Sequence, residues 1–145
     1  MTTARLANTI VVAAFAPAAV VAAGAQTPAA LATAIQGTWT VESVNGQKLD
    51  GLGQKTTMTF SKNTYSVTTN GQVKERGTFT IDERKKPAEI DMKISEGVSV
   101  GSTQIGLVEI AIGTLRLKTN SFGTPKRPTD FKSEPWYTLI VAKKS

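Results

Sequence analysis

Ile35-Gln36-Gly37-Thr38-Trp39-Thr40-Val41 is the stretch that decides the fold. Past the glycine the residues alternate, with Trp39 and Val41 on one side of an extended chain and Thr38 and Thr40 on the other. A strand with a single buried face is built this way. A large ring so near the start of a strand belongs at one end of the core, where it plugs and anchors the packing.

The same signature recurs down the chain. Short runs rich in Thr, Val, Ile and aromatics are broken by Gly, Asn and Pro clusters about every ten residues. The expected strands are Gly37 to Val44, Thr56 to Ser61, Thr64 to Thr69, Val73 to Ile81, Ala88 to Ile94, Thr103 to Ile110, Thr114 to Thr119 and Trp136 to Ala142. Asn70-Gly71 tolerates the positive φ angles of a two-residue hairpin, and Ile112-Gly113 and Ser61-Lys62-Asn63 are equally short links. Parallel crossovers need a dozen or more residues. The expectation is therefore all-β: a single antiparallel up-and-down barrel of about eight strands.

Alternation assigns the faces. Trp39, Val41, Met58, Phe60, Tyr65, Val67, Phe79, Ile81, Ile90, Met92, Ile94, Ile105, Leu107, Leu115 and Leu117 are expected inside, opposite a Thr-, Asp- and Lys-rich outer face. The parity of Glu75 and Glu109 matches these inner residues, although a position at a rim or bulge would leave both solvated. The last strand is apolar on both faces, so something should cover its outer side. A short helix over Pro28 to Ile35 is expected either there or as a cap on the barrel's end. Leu49 to Lys55 is too glycine-rich for a dependable helix. The connection from Asn120 to Pro135, with Pro125, Pro128 and Pro135, is long enough to act as a lid or functional loop.

Ahead of the barrel, residues 1–25 read as a signal peptide. Arg5 precedes an apolar run from Ile10 to Ala23, and Ala23-Gly24-Ala25 is a small-residue cleavage site. The run is shorter than a spanning helix needs and contains Pro17. No cysteine follows it to be acylated. The expected order is thus a removed leader at 1–25, a short helical or linker segment at 26–35, and the barrel at 36–145. The product would be periplasmic or secreted and not an integral membrane protein. Losing Arg5 lowers the net charge from +6 to +5. The densest cluster, Arg84-Lys85-Lys86, lies between acids and a proline and lacks interleaved aromatics, so no nucleic-acid partner is expected.

The chain contains no Cys and no His. Disulfides and thiolate metal sites are excluded, and with histidine goes the usual general base and commonest neutral metal ligand. No phosphate-binding glycine loop, nucleophile elbow or calcium loop is present. No catalytic residue, metal or cofactor is expected.

Several short motifs occur in a telling order: Gln36-Gly37-Thr38-Trp39, Gly77-Thr78-Phe79, Lys86-Pro87-Ala88-Glu89-Ile90-Asp91, Thr114-Leu115-Arg116-Leu117 and Arg127-Pro128-Thr129-Asp130-Phe131. Together they resemble a lipocalin-like domain family of planctomycete-type bacteria with no assigned function, over residues 31 to 144. The resemblance implies a barrel and an exported setting, without supplying a reaction. Gly37-Thr38-Trp39 is also similar to the Gly-x-Trp of true lipocalins, and Thr129-Asp130-Phe131 to their Thr-Asp-aromatic loop.

Gly37, Trp39, Arg127, Asp130 and Phe131 are accordingly expected to form a structural motif. In it Arg127 lies over the Trp39 ring, Asp130 caps or bridges the loop, and Phe131 pins it to the barrel; alternatively Lys126 and Arg127 bind an anion at the mouth. Phe60, Tyr65, Phe79, Met92 and Leu115 are the expected lining of a calyx for a small apolar or amphipathic ligand. The competing expectation is a packed barrel whose loops engage an envelope or secreted protein partner, as an inhibitor or accessory factor.

Overall fold

The computed structural model describes residues 30–121 and 124–145. The expected leader, and residues 26–29 of the segment after it, lie outside the described residues. A four-residue helix α1 (Leu31–Ala34) leads into β1 (Gly37–Val44), β2 (Gln47–Lys48), a 3₁₀ turn (Asp50–Leu52), β3 (Thr56–Ser61) and β4 (Thr64–Thr69). Then follow β5 (Gln72–Asp82), β6 (Ala88–Gly97), β7 (Thr103–Ala111), β8 (Thr114–Asn120) and β9 (Tyr137–Lys144).

From β3 to β9 each strand pairs antiparallel with its chain neighbour, and β1 pairs with both β3 and β9. Eight strands therefore close into a barrel, with β2 folded back on the end of β1. Closure satisfies the ladder groups that an open sheet would expose at its edges. The seam pairs Trp39 with Lys144, Val41 with Ala142 and Val44 with Ile140, and it shifts register at Glu42. Asn45 extends it: its N–H donates to the Leu139 carbonyl and its Oδ1 accepts from the Leu139 N–H, both at 2.7 Å. Asn70-Gly71 and Ile112-Gly113 both turn through paired positive φ angles, as two-residue hairpins require.

Residues directly opposite one another in a ladder share a face, so the register shows what lies inside. Trp39, Met58, Phe60, Tyr65, Phe79, Ile90, Met92, Leu115 and Leu117 are all at most 6 % exposed and belong to one core cluster. On β7 the expected parity is reversed. Gly106 faces Ile90 and Thr119, and Val108 faces Leu117, so Gly106, Val108 and Ile110 point inward. Ile105, Leu107 and Glu109 point outward. A Cβ at Gly106 would come within 2.1 Å of the Lys118 carbonyl oxygen, so only glycine fits this inner position. Leu107 is nonetheless buried because its outer face is covered.

The cover is the chain between β8 and β9, not the helix. It packs across the outer face of β8, where Lys118 is fully buried. The helix instead caps the end of the barrel that holds Trp39, with Ile35 fully buried there. Trp136, expected to begin the last strand, stands just before it at φ 74° and is 71 % exposed. No described helix is long and apolar enough to cross a membrane.

Candidate ligand site and the closed end of the barrel

The closed end is built around Trp39. Its indole N–H donates to the Ile35 carbonyl at 2.7 Å, so the ring that fills the base also ties down the residue ending the helix. Gln36 holds the β3–β4 turn: Oε1 accepts from Lys62 N–H at 2.7 Å and Nε2 donates to the Lys62 carbonyl at 3.0 Å. Gly37 has φ 108°, a backbone conformation that disfavours side chains, and a Cβ there would meet Lys144 Nζ at 2.9 Å. Lys144 caps the structure, donating to the Gln36 carbonyl with its ammonium 4.6 Å from the centre of the Trp39 ring.

The cation over Trp39 is thus Lys144 and not Arg127. Arg127 reaches the outer face of β6 and β7, where Nη2 donates to Asp91 at 2.7 Å and Nε lies 3.3 Å from Glu89. Nη1 donates to the Ile90 and Gly106 carbonyls at 3.1 and 3.0 Å. A guanidinium met by two carboxylates and two carbonyls is a staple for the covering segment, and it offers no place for an anion. The Arg127–Trp39 contact failed as an expectation because it assumed that the motif folds back on the plug, whereas Glu89 and Asp91 offer the arginine a closer pair of charges.

The other two motif residues hold the same segment. The Phe131 ring lies under the Arg116 guanidinium at 4.6 Å, and Arg116 in turn pairs with Glu109. Asp130 accepts from the Lys132 N–H at 3.0 Å and lies 3.5 Å from Lys118 Nζ. Glu134 is the closer partner of that ammonium, at 2.6 Å. The Asp130 carboxyl is held below its usual range, first by the Lys132 backbone N–H and then by Lys118.

The five side chains expected to line a calyx are all in the core. Phe60 meets Phe79 edge-on at 5.2 Å and Tyr65 at 6.4 Å, while Met92 is 2 % exposed and Leu115 fully buried. Phe60, Phe79 and Leu115 pack with Trp39 as the filled base. Toward the other end the inner positions change character. Val44, Val67, Ile140, Gln104 and Thr138 are half-buried, and Thr56 and Thr69 exchange a hydroxyl hydrogen bond at 3.0 Å. Glu75 stands opposite Val67 on this inner face, and the Tyr65 hydroxyl donates to it at 2.8 Å. Glu109, by contrast, lies outside on β7 beside Arg116.

Two features escaped the sequence reading. Lys118 has the alternation of an outer, solvated lysine, and only the covering segment buries it. The Tyr65–Glu75 bond joins residues of neighbouring strands whose register, Tyr65 opposite Gly77 and Val67 opposite Glu75, places the hydroxyl beside the carboxylate, and no local signal marks that pairing. Among the described residues no three His, Cys, Asp or Glu side chains gather into a metal-ligating group.

This barrel, with an indole plugging one end and graded burial toward the other, defines a lipocalin-type architecture. Residues 35–117, more than half of the chain, match the family described as the lipocalin-like domain, and the chain belongs to that family. No curated protein and no solved structure matches it.

Proposed function

We propose that this is an exported, non-enzymatic binding protein that takes a small apolar or amphipathic molecule into the half of its barrel remote from Trp39. The observation that carries the reading is the gradient along the inner face. Around Trp39, Phe60 and Leu115 the side chains are excluded from water, while Val44, Val67 and Ile140 remain half-buried. Apolar side chains with a few convergent polar groups are the usual lining of a small-molecule site. Tyr65 and Met92 form its floor in this reading, with Phe60, Phe79 and Leu115 supporting them. Export rests on the leader-like sequence of residues 1–25. Native mass spectrometry of protein purified from its own cells tests both parts. A co-purifying small mass on a chain beginning near Gln26 is expected, and bare protein that retains residues 1–25 would overturn them.

A second reading is favoured by a separate observation. Among the described residues, the exposed large apolar side chains Leu52, Val98, Val100 and Trp136 lie on connections at the end remote from Trp39, with Val73 beside them at the start of β5 and Ile112 at the other end. Such a grouping suits the docking of an envelope or secreted protein. The same mass measurement separates the readings, since a protein adduct, lost on Trp136→Ser, favours this one.

A further inference from the structure

On the strands, the register places two charged side chains on the inner face, one toward each end. Lys144, at the closed end, is satisfied by the Gln36 carbonyl and the Trp39 ring. Glu75 has no such answer. It lies three residues beyond the first residue of β5, opposite Val67 and next to Gly97 at the end of β6. Arg76 turns outward to Glu96, and none of the ion pairs among the described residues includes Glu75. Its one side-chain partner among them is the Tyr65 hydroxyl, on Oε1.

The fold goes to some length to make that bond. The Tyr65 ring runs across Gly77, where a Cβ would come within 2.7 Å of Cε1, and so reaches from the packed core to the carboxylate. Burial, and then Glu75 itself, pushes the Tyr65 phenol above its ordinary range, so it stays protonated and keeps donating at neutral pH. A carboxylate turned into a half-buried, Thr- and Val-lined chamber costs free energy unless a donor or cation meets it. The protein supplies one neutral donor, to Oε1, and among the described residues no cation pairs with this carboxylate.

We propose that Glu75, steadied by Tyr65, is the head-group site of the chamber and selects ligands that carry a protonated amine on an apolar body. The inference rests on the small-ligand reading above and names the ligand's chemistry. Valines and isoleucine would take the chain, and the carboxylate would take the ammonium as a charge-assisted hydrogen bond.

Calorimetric titration with decylamine, 1-decanol and decanoate at pH 7, all below their micellar concentrations, tests it. Decylammonium should bind about ten-fold more tightly than decanol, as one partly buried charge-assisted contact provides, and decanoate should bind weakest. Glu75→Gln should bring decylamine down to the level of decanol and leave decanol unchanged. Tyr65→Phe, which keeps the charge but frees its rotamer, should narrow the preference without abolishing it. Equal affinity for amine and alcohol, or a preference that survives Glu75→Gln in a variant of unaltered circular dichroism, would overturn the head-group site alone. If none of the three probes binds, the small-ligand reading falls with it.

Discussion

The Lys144 ammonium lies 4.6 Å from the centre of the Trp39 ring, so the last strand of the barrel closes over the plug presented by the first. Trp39 is 1 % exposed and also donates its indole N–H to Ile35. Trp39→Ala should therefore cost about 3–5 kcal/mol, the range for deleting a large core aromatic. Lys144→Met, which keeps the stem and removes the charge, should cost only about 0.5–1 kcal/mol, as an exposed cation over a ring. Urea denaturation of both variants measures the ratio, and a near-wild-type midpoint for Trp39→Ala would remove the plug from the account.

Tyr65 should ionise well above an ordinary phenol, because burial first and the Glu75 carboxylate second disfavour the phenolate. A raised pKa stabilises the folded state fully below the unfolded value near 10, and that contribution is lost as the pH rises beyond it. Titration of the tyrosinate absorbance should show a late component that is missing from Tyr65→Phe and moves toward lower pH in Glu75→Gln.

The opposite sign applies at the β5–β6 turn. Asp82 is lowered from 3.8 to about 2, chiefly by hydrogen bonds from the Arg84 side chain and then from its backbone. A depressed pKa contributes stability above the unfolded value, lost as the pH falls from about 4 toward 2. Carboxyl resonances followed by NMR should give Asp82 a midpoint near the low value, returned toward the ordinary range by Arg84→Ala. The pair is exposed, so added salt should shrink the difference.

Lys118 is fully buried while its partners, Asp130 and Glu134, are 46 and 44 % exposed. Removing the two sides should have unequal effects. Lys118→Met leaves two carboxylates in contact with water and should be near neutral, since a buried ion replaced by an apolar side chain of similar length often is. Asp130→Asn with Glu134→Gln leaves a buried ammonium without a counter-charge and should lower the thermal midpoint clearly more. Equal midpoints would show that the ammonium does not depend on the covering segment.

Arg127 should be the residue that keeps that segment down. Arg127→Ala removes contacts to Asp91, Glu89 and two carbonyls, and should cost about 2 kcal/mol, in the range for hydrogen bonds to charged groups. Limited proteolysis between β8 and β9 should quicken with it. Arg127→Lys should not restore the wild-type rate, because an ammonium cannot form the planar fork.

The strand pattern was legible wherever one face met the core and the other met water. Thr38-Trp39-Thr40-Val41, Thr57-Met58-Thr59-Phe60 and Thr78-Phe79-Thr80-Ile81 alternate cleanly, and their strands begin and end close to where the alternation does. Reading failed on β7. Both of its faces carry apolar residues, the inner facing the core and the outer facing the covering segment, so alternation between Ile105, Gly106, Leu107 and Val108 cannot say which side is in. The inner glycine, chosen by the closeness of the Lys118 carbonyl, tipped the parity the wrong way. Glu109 moved outside with it, while Glu75, with the same apparent parity, stayed inside.

By itself the sequence determined the strands, their order and the absence of histidine and cysteine chemistry, because period-two burial and turn residues act over a few neighbours and leave a local record. The tertiary structure alone decided that β1 meets β9, that Lys144 and not Arg127 crowns Trp39, that the β8–β9 segment buries Lys118, and that Tyr65 reaches Glu75. Each of these joins residues on different strands or segments, where the choice of partner depends on which charges and surfaces the closed barrel brings within a few ångströms, and no local pattern encodes that distance.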